Sequence, residues 1–210
     1  MSNAVIITSY IEDFSGIKDV LNSEDYVICA DGGWDIATEL GILPDLLIGD
    51  FDSIKSPLPD GIETIKFLPE KDYTDLDLAI RTAVEKGYSH LTVIGGIGGR
   101  LDHTIANIQL LSHYDSFFDS LIMMDGRNVC FIIDSEKKDR FVIRRENDSY
   151  LSFFSLSEKC TGVSINGVKY PLCDHTLTRT FPLGVSNEFT EKNAVLSIKD
   201  GTLLAVISRI

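Results

Sequence analysis

The order of apolar and polar runs predicts an α/β fold, with a Rossmann-like N-terminal, mostly parallel sheet and flanking helices, followed by a C-terminal antiparallel β-sandwich. Two observations carry this. Up to about Asp134, apolar runs of strand length alternate with segments of helical spacing, the pattern of a parallel sheet with helices on both faces. From Phe141 onward the runs are short, alternating or apolar, and broken by turn signals, with no helical periodicity. The polar segment Asp134 to Arg140 marks the boundary, giving one domain over residues 1–134 and another over 135–210.

Taken in order, Ala4-Val5-Ile6-Ile7-Thr8 reads as a buried first strand, and helical spacing follows from Phe14 to Asn22. Tyr26 to Ala30 is a second buried strand ending at Asp31-Gly32-Gly33, after which Trp34, Ile36, Ala37 and Leu40 mark a helix stopped by Gly41. A third apolar run, Leu46-Leu47-Ile48, leads into Gly49-Asp50-Phe51-Asp52-Ser53, and Ile62 to Phe67 makes a further strand. Thr74 followed by Asp77 is a capping-box pattern; Leu76, Ala79, Ile80 and Ala83 recur at helical spacing until Gly87. Leu91 to Ile94 is the next strand and enters a run with four glycines, Gly95-Gly96-Ile97-Gly98-Gly99, before a helical pattern of Ile105, Ile108 and Leu111. Leu121 to Met124 and Val129 to Ile133 continue the apolar runs. In the second half, strands are predicted at 141–143, 150–156, 163–165, 195–198 and 203–207, with hairpin signals at Asn166-Gly167 and Asp200-Gly201.

At 210 residues the chain can bury a real core, and 44% hydrophobic with 24% charged residues is ordinary for a globular protein. A net charge of −13 without a basic patch argues against a nucleic-acid partner. No apolar run is long enough for a membrane span and the N-terminus lacks a signal pattern, so a cytoplasmic protein without membrane contact is expected. Cys29, Cys130, Cys160 and Cys173 are isolated and read as reduced thiols, the first two in the core.

The acids carry the chemistry. Asp50 and Asp52 end an apolar strand pattern, and on extended chain their side chains would share a face. Two like charges held so close repel unless a cation lies between them, and Mg²⁺ suits an all-oxygen set with phosphate and water. Asp31 sits at another strand end before two glycines, which is either a plain turn or a second contribution to the same site. Asp77 reads as a capping acid before a ligand, because it complements the dipole of the helix it opens. The Gly95–Gly99 run can present backbone N–H groups and a helix N-terminus to phosphate, with Arg100 beside it; the alternative is that Arg100 pairs with Asp102 and the glycines only turn the chain. Trp34 and the Phe117-Phe118 pair read as core.

Ala30-Asp31-Gly32-Gly33, Pro44-Asp45 through Gly49-Asp50-Phe51-Asp52-Ser53, Lys71-Asp72-Tyr73-Thr74-Asp75, Gly96 through Asp102-His103, Asn107, Tyr170-Pro171-Leu172 and Ser186-Asn187-Glu188-Phe189 follow one another in an order that resembles the thiamine pyrophosphokinase family. The resemblance implies an α/β nucleotide-binding domain and a β-sandwich, and transfer of the β,γ-pyrophosphoryl unit of ATP to thiamine. It implies that Asp31, Asp50, Asp52 and Asp75 surround Mg²⁺, with Asp50, Asp52, Lys71 and Asp75 at the chemistry. It places ATP against Asp31, Gly32, Gly33, Lys71, Thr74, Arg100, Asp102, His103 and Asn107, and thiamine against Tyr170, Ser186 and Asn187. It further implies a homodimer with thiamine sites at the subunit interface. Arg179-Thr180-Phe181-Pro182 depart from the small residues usual there. Asp75 and Asp50 are both candidates to take the proton of the thiamine hydroxyl, and His103 reads equally as a helix-start residue or an ATP contact. Without the resemblance, a Mg²⁺-dependent transferase, a Mg²⁺-dependent nucleotide phosphohydrolase and a non-catalytic nucleotide sensor all fit the acids.

Overall fold

The computed structural model describes residues 3–52, 54–67, 72–146 and 148–210. Its internal contacts divide the chain into two units, Met1–Gly126 and Arg127–Ile210.

The first unit carries a six-stranded, all-parallel sheet of β1 (Asn3–Ile7), β2 (Tyr26–Ala30), β3 (Leu46–Gly49), β4 (Glu63–Lys66), β5 (His90–Ile94) and β6 (Ser120–Met124) in the spatial order β6-β5-β1-β2-β3-β4. The central strands are apolar on both faces, as a sheet covered on two sides requires. Val5, Ile7, Val27, Cys29, Leu47 and Ile94 face one cluster with α1 (Ile17–Val20) and α2 (Gly33–Leu40), which contribute Ile17, Trp34 and Ala37. The helix α3 (Asp75–Glu85) packs on β1, β2 and β3 through its buried Leu76, Ala79, Ile80 and Ala83, while α4 (Leu101–Tyr114) packs on β6. α1 is far shorter than the span its spacing predicts, because Gly16 before it is left-handed and Leu21 after it is extended, so the helix continues in neither direction. Gly41 closes α2 in the left-handed conformation, as its position predicts. In α4, Leu111 is buried but Ile105 is 52% exposed, so the predicted helix is present while its apolar row is not wholly the core face. Phe118 is core as well, whereas its neighbour Phe117 lies outside.

The second unit stacks two antiparallel sheets. One has the order β12-β9-β14-β7, from β12 (Gly184–Glu188), β9 (Ser149–Ser155), β14 (Thr202–Arg209) and β7 (Asn128–Asp134). The other has the order β11-β10-β13-β8, from β11 (Leu172–Thr178), β10 (Lys159–Asn166), β13 (Asn193–Ser197) and β8 (Arg140–Arg144). Leu151, Phe153, Leu203 and Ala205 of the first meet Val163, Ile165, Leu177, Ala194 and Leu196 of the second in one core, which makes the unit a sandwich.

Three details differ from the reading of the sequence. The boundary falls at Gly126/Arg127 and not at Asp134, because β7 pairs along its whole length with β14 near the C-terminus. Neither hairpin signal closes a two-residue hairpin: 167–171 loops out between β10 and β11, and Asp200-Gly201 carries the chain from β13 in one sheet to β14 in the other. The strands β11 and β12 have no apolar run to reveal them, since each is an outer strand of its sheet and mostly exposed. No helix among the described residues is long and apolar enough to cross a membrane.

Asp77 fastens α3 to α4. Its N–H caps the helix by donating to Thr74 Oγ1 at 3.2 Å, and its side chain is buried, accepting from Arg81 Nε at 3.2 Å and from Tyr114 Oη on α4. The acid is thus a tie between helices as well as a cap. Burial, together with the hydrogen bond to Asp77, pushes the Tyr114 phenol up to about 12. The folded chain therefore holds the phenol proton that the unfolded chain surrenders from about pH 10, so stability from this group is lost as pH rises from about 10 to about 12. Tyr114→Phe is expected to lower unfolding free energy in urea by about 1–3 kcal/mol at neutral pH, and to flatten the alkaline loss between those limits.

Candidate active site and metal centre

The chain runs from β1 to β4 on one side of the sheet and then returns to place β5 and β6 on the other side of β1. That reversal puts a crevice beyond the carboxyl ends of β1 and β5, where open α/β sheets bind ligands. A cleft of about 380 Å³ occupies this place. Thr8, Ser9 and Tyr10 after β1, Asp31 after β2, Gly96, Gly98 and Arg100 after β5, Thr74 and Asp75 at the start of α3, and His103 and Asn107 on α4 line it.

At one side of the cleft, Asp31, Asp50 and Asp52 bring one carboxylate oxygen each to within 4.8 Å of one another. The expectation that Asp50 and Asp52 share a face of extended chain does not hold. Phe51 between them has φ 60°, so the strand has already turned. Asp52 N–H donates to Asp50 Oδ1 at 3.2 Å, closing that turn through the side chain. Asp31 also has a positive φ, 45°, and its N–H donates to Ile48 O at 2.7 Å, which ties the end of β2 to β3. Gly49 lets the strands come this close: a Cβ there would lie 3.0 Å from Asp31 Cα and 3.2 Å from its Oδ1. A bulky residue such as Phe51 held at positive φ is backbone strain concentrated at the acids.

The charges act on one another. Asp50, above all, holds the Asp52 carboxyl above its ordinary pKa, with smaller contributions from burial, Asp31 and Asp75. Asp31 Oδ1 is buried, whereas Asp52 is exposed. Three anionic oxygen donors so close suit a hard divalent cation, whose octahedral ligands lie about 3 to 4 Å apart. Asp75 lines the same cleft but is not among the three that converge.

The glycine loop lines the same cleft as Asp31. Tyr10 O accepts from Gly96 N–H at 2.9 Å, and Gly98 N–H donates to Thr104 Oγ1 at 3.1 Å. Asn107 Nδ2 donates to Gly96 O at 2.8 Å, so this predicted ATP contact also holds the loop in place. Arg100 pairs with Asp102 at 2.6 and 3.1 Å, as the alternative reading has it, yet still lines the cleft. Both partners are exposed, and such a pair is worth little, so Arg100 can exchange Asp102 for phosphate. Asp102 also accepts from the His103 N–H, and does not line the cleft.

Of the other predicted residues, Gly33 is buried, and a Cβ there would meet Ile7 O at 2.0 Å; its lack of a side chain serves helix-on-strand packing rather than ligand approach. Gly32 packs beside Ser9, which lines the main cleft, but does not line it itself. Lys71 lies outside the described residues. In the second unit, Asn187 is buried and its amide holds the Tyr170 backbone twice, accepting from Tyr170 N–H at 3.0 Å and donating to Tyr170 O at 2.8 Å. It presents the Tyr170 ring, 60% exposed, rather than an amide of its own. Ser186 is exposed at φ 58°, its N–H donating to Ser152 Oγ at 3.0 Å. Thr8, Ser9 and Tyr10 are cleft residues that the sequence reading left unassigned. Their signal was position alone: they follow the first apolar run just as Asp31 follows the second.

Comparison with known proteins shows the family. Residues 17–123 match the family model described as thiamin pyrophosphokinase, catalytic domain, and 139–203 match thiamin pyrophosphokinase, vitamin B1 binding domain. Thiamine pyrophosphokinase of Bacillus subtilis is 32% identical over 203 residues, covering 94% of this chain and 92% of the relative. The chain belongs to the thiamine pyrophosphokinase family. The crystal structure of the Bacillus subtilis thiamine pyrophosphokinase superposes with TM-score 0.88 and 26% identity, covering 100% of this chain and 99% of that one. That of Geobacillus thermodenitrificans gives 0.86 and 25%, covering 100% and 98%. The acids and the glycine loop fall inside the catalytic match, and Tyr170, Ser186 and Asn187 inside the vitamin B1 binding match. The family fold and the α/β-plus-sandwich architecture coincide.

An acid with a raised folded-state pKa binds its proton more tightly folded than unfolded. Above the ordinary carboxylate range, the charge on Asp52 therefore weakens the fold, and acidification through the raised pKa relieves it. In chelator at neutral pH, Asp52→Asn is expected to raise the melting temperature. Mg²⁺ is expected to raise the wild-type melting temperature, and the same change is expected to abolish most of that rise. A wild-type melting temperature indifferent to Mg²⁺ would remove the metal centre.

Proposed function

We propose that this chain transfers the β,γ-pyrophosphoryl unit of ATP to the hydroxyethyl oxygen of thiamine, giving thiamine diphosphate and AMP, and that Asp31, Asp50 and Asp52 hold Mg²⁺ for the reaction. The observation that supports this most is the convergence of those carboxylates at a cleft by the strand-order reversal, whose lining joins Asp31 to the glycine loop and Arg100. Transfer of this kind is largely a matter of positioning and of neutralising charge, so a site needs cations and N–H donors more than a covalent nucleophile.

When bound, Mg²⁺ supplies positive charge to the triphosphate oxygens. The chain's own groups do the rest. The Gly96 and Gly98 N–H groups are taken by Tyr10 O and Thr104 Oγ1, so it is the rest of the loop and the first N–H groups of α4 that offer donors to phosphate, and Arg100 releases Asp102 to meet the charge that builds on the leaving AMP. Lys71, from the segment that also carries Thr74 and Asp75, adds a second cation in this reading. The thiamine oxygen attacks the β-phosphorus, the bond from that phosphorus to the α,β-bridging oxygen breaks, and AMP leaves with the electron pair. The hydroxyl proton goes to Asp75, which lines the cleft outside the close carboxylate group and so is better placed than Asp50.

Thiamine rests against Tyr170, whose exposed ring Asn187 fixes from behind, with Ser186 beside it on β12. A second copy of the chain as partner, with thiamine at the interface, is supported by exposed apolar side chains on neighbouring strands, Phe154 on β9 and Val185 on β12, with Leu183 just before them; Phe181, exposed too, falls in the segment that departs from the family pattern. The four free cysteines fit a reducing compartment, the cytoplasm.

Incubation with ATP, Mg²⁺ and thiamine is expected to yield AMP and thiamine diphosphate in equal amounts. ADP or phosphate released without thiamine would replace the transferase with a phosphohydrolase, and binding without turnover would leave a sensor. Loss of a supporting partner alone costs about 10–100-fold at metal sites, so Asp52→Asn is expected to cut kcat by at least about 100-fold with the fold retained; full activity would take Asp52 out of the site.

A further inference from the structure

We infer that Asp35 is a positioning residue for the metal centre, gripping the loop that carries Asp50 and Asp52 so that both keep their spacing to Asp31. The inference rests on the proposed role of the three carboxylates. Asp31 leads directly into α2, and Asp35 lies in the first turn of the same helix. The Asp35 carboxylate accepts the Lys55 N–H at 3.0 and 3.2 Å and the Ser56 N–H at 2.7 Å. One residue earlier, Trp34 Nε1 donates to Pro57 O at 3.1 Å. Phe51 and Ile54 of the loop pack on the cluster that contains Trp34. The helix that begins just after Asp31 therefore holds the far end of the loop bearing the other two carboxylates.

The chemistry explains why a carboxylate is used. Beyond β3 the loop has lost its sheet partners, and Phe51 is held at positive φ among acids that repel each other. Left to itself the loop would relieve both by swinging Asp50 and Asp52 outward. Three charge-assisted contacts to consecutive backbone N–H groups oppose this. These N–H groups also hold the Asp35 carboxyl below its usual range, chiefly the Lys55 N–H, so Asp35 stays ionised where the site works. Asp35 is not one of the three converging carboxylates, so it acts through the loop rather than on the ion. Partners of this supporting kind set metal affinity in proportion to how firmly they hold the direct ligands.

The test measures Mn²⁺ binding by electron paramagnetic resonance of the free ion, on the full chain without nucleotide and well below its melting temperature. Asp35→Ala is expected to weaken Mn²⁺ binding about tenfold. Asp35→Asn, which keeps one acceptor oxygen, should lie between Asp35→Ala and wild type. A residue that only stabilised the fold would lower the melting temperature and leave the Kd of the folded chain unmoved; an Asp35→Ala chain that binds Mn²⁺ as tightly as wild type overturns the inference while the metal centre stands. Should Asp35→Ala fail to fold, an unchanged Kd for Asp35→Asn overturns it equally. A wild-type chain that binds no Mn²⁺ overturns the metal centre and this inference together.

Discussion

The constraint on which the structure depends is electrostatic: three carboxylates are held within 4.8 Å of one another, against their mutual repulsion, at the ends of two neighbouring parallel strands. Nothing in the acids themselves favours this. The opposing work is done by backbone, through the Asp31 N–H to Ile48 O bond, the missing side chain of Gly49 and the turn at Phe51. Beneath them β2 and β3 are apolar and buried on both faces, and the burial that stabilises the sheet also fixes its ends. A repulsive cluster on a rigid base is a stored affinity for a cation, since an ion that neutralises it meets groups already in place.

Topology then decides what else lies beside the acids. Because the strand order reverses beside β1, the ends of β1 and β5 open a crevice next to the acids, and the glycine loop after β5 enters it. The loop is fixed by groups distant in the chain: Tyr10 from the end of β1, Thr104 and Asn107 from α4. The cleft thus carries the Asp31 carboxylate and, from the other strand end, a braced glycine loop with the Arg100 cation, the pairing of charges that a polyphosphate with its counter-ion calls for. The second unit uses the same economy, with the buried amide of Asn187 spent on the backbone of Tyr170 so that the ring stands outward.

Much of this was legible in the residues. Strand-length apolar runs alternating with helical spacing gave the first unit, because a sheet covered on both faces must be apolar on both. Asp31, Asp50 and Asp52 stood out as acids closing such runs, and they do meet. The reason offered for Asp50 and Asp52 was nonetheless wrong: they are neighbours through a turn, and periodicity cannot register a positive φ at Phe51. Asp77 was read as a cap, yet its tie to Tyr114 spans two helices and leaves no local mark. Gly33 has a packing role against Ile7 O that no sequence pattern announces, and nothing in the chemistry of Thr8, Ser9 and Tyr10 distinguishes them from a strand's end.

The sequence by itself determined the elements whose signal is local: apolar strands, the helix begun at Thr74 and stopped near Gly87, and the composition of the acidic and glycine-rich loops. Tertiary structure alone decided where β7 belongs, which sheet receives the chain after Asp200-Gly201, that Arg100 rests on Asp102, and that Asp35 reaches Lys55 and Ser56. The physical reason is the range of the interactions. Propensity and periodicity act within a few residues and are written in order along the chain, whereas strand partners and charge contacts join segments whose separation in sequence carries no record of their meeting.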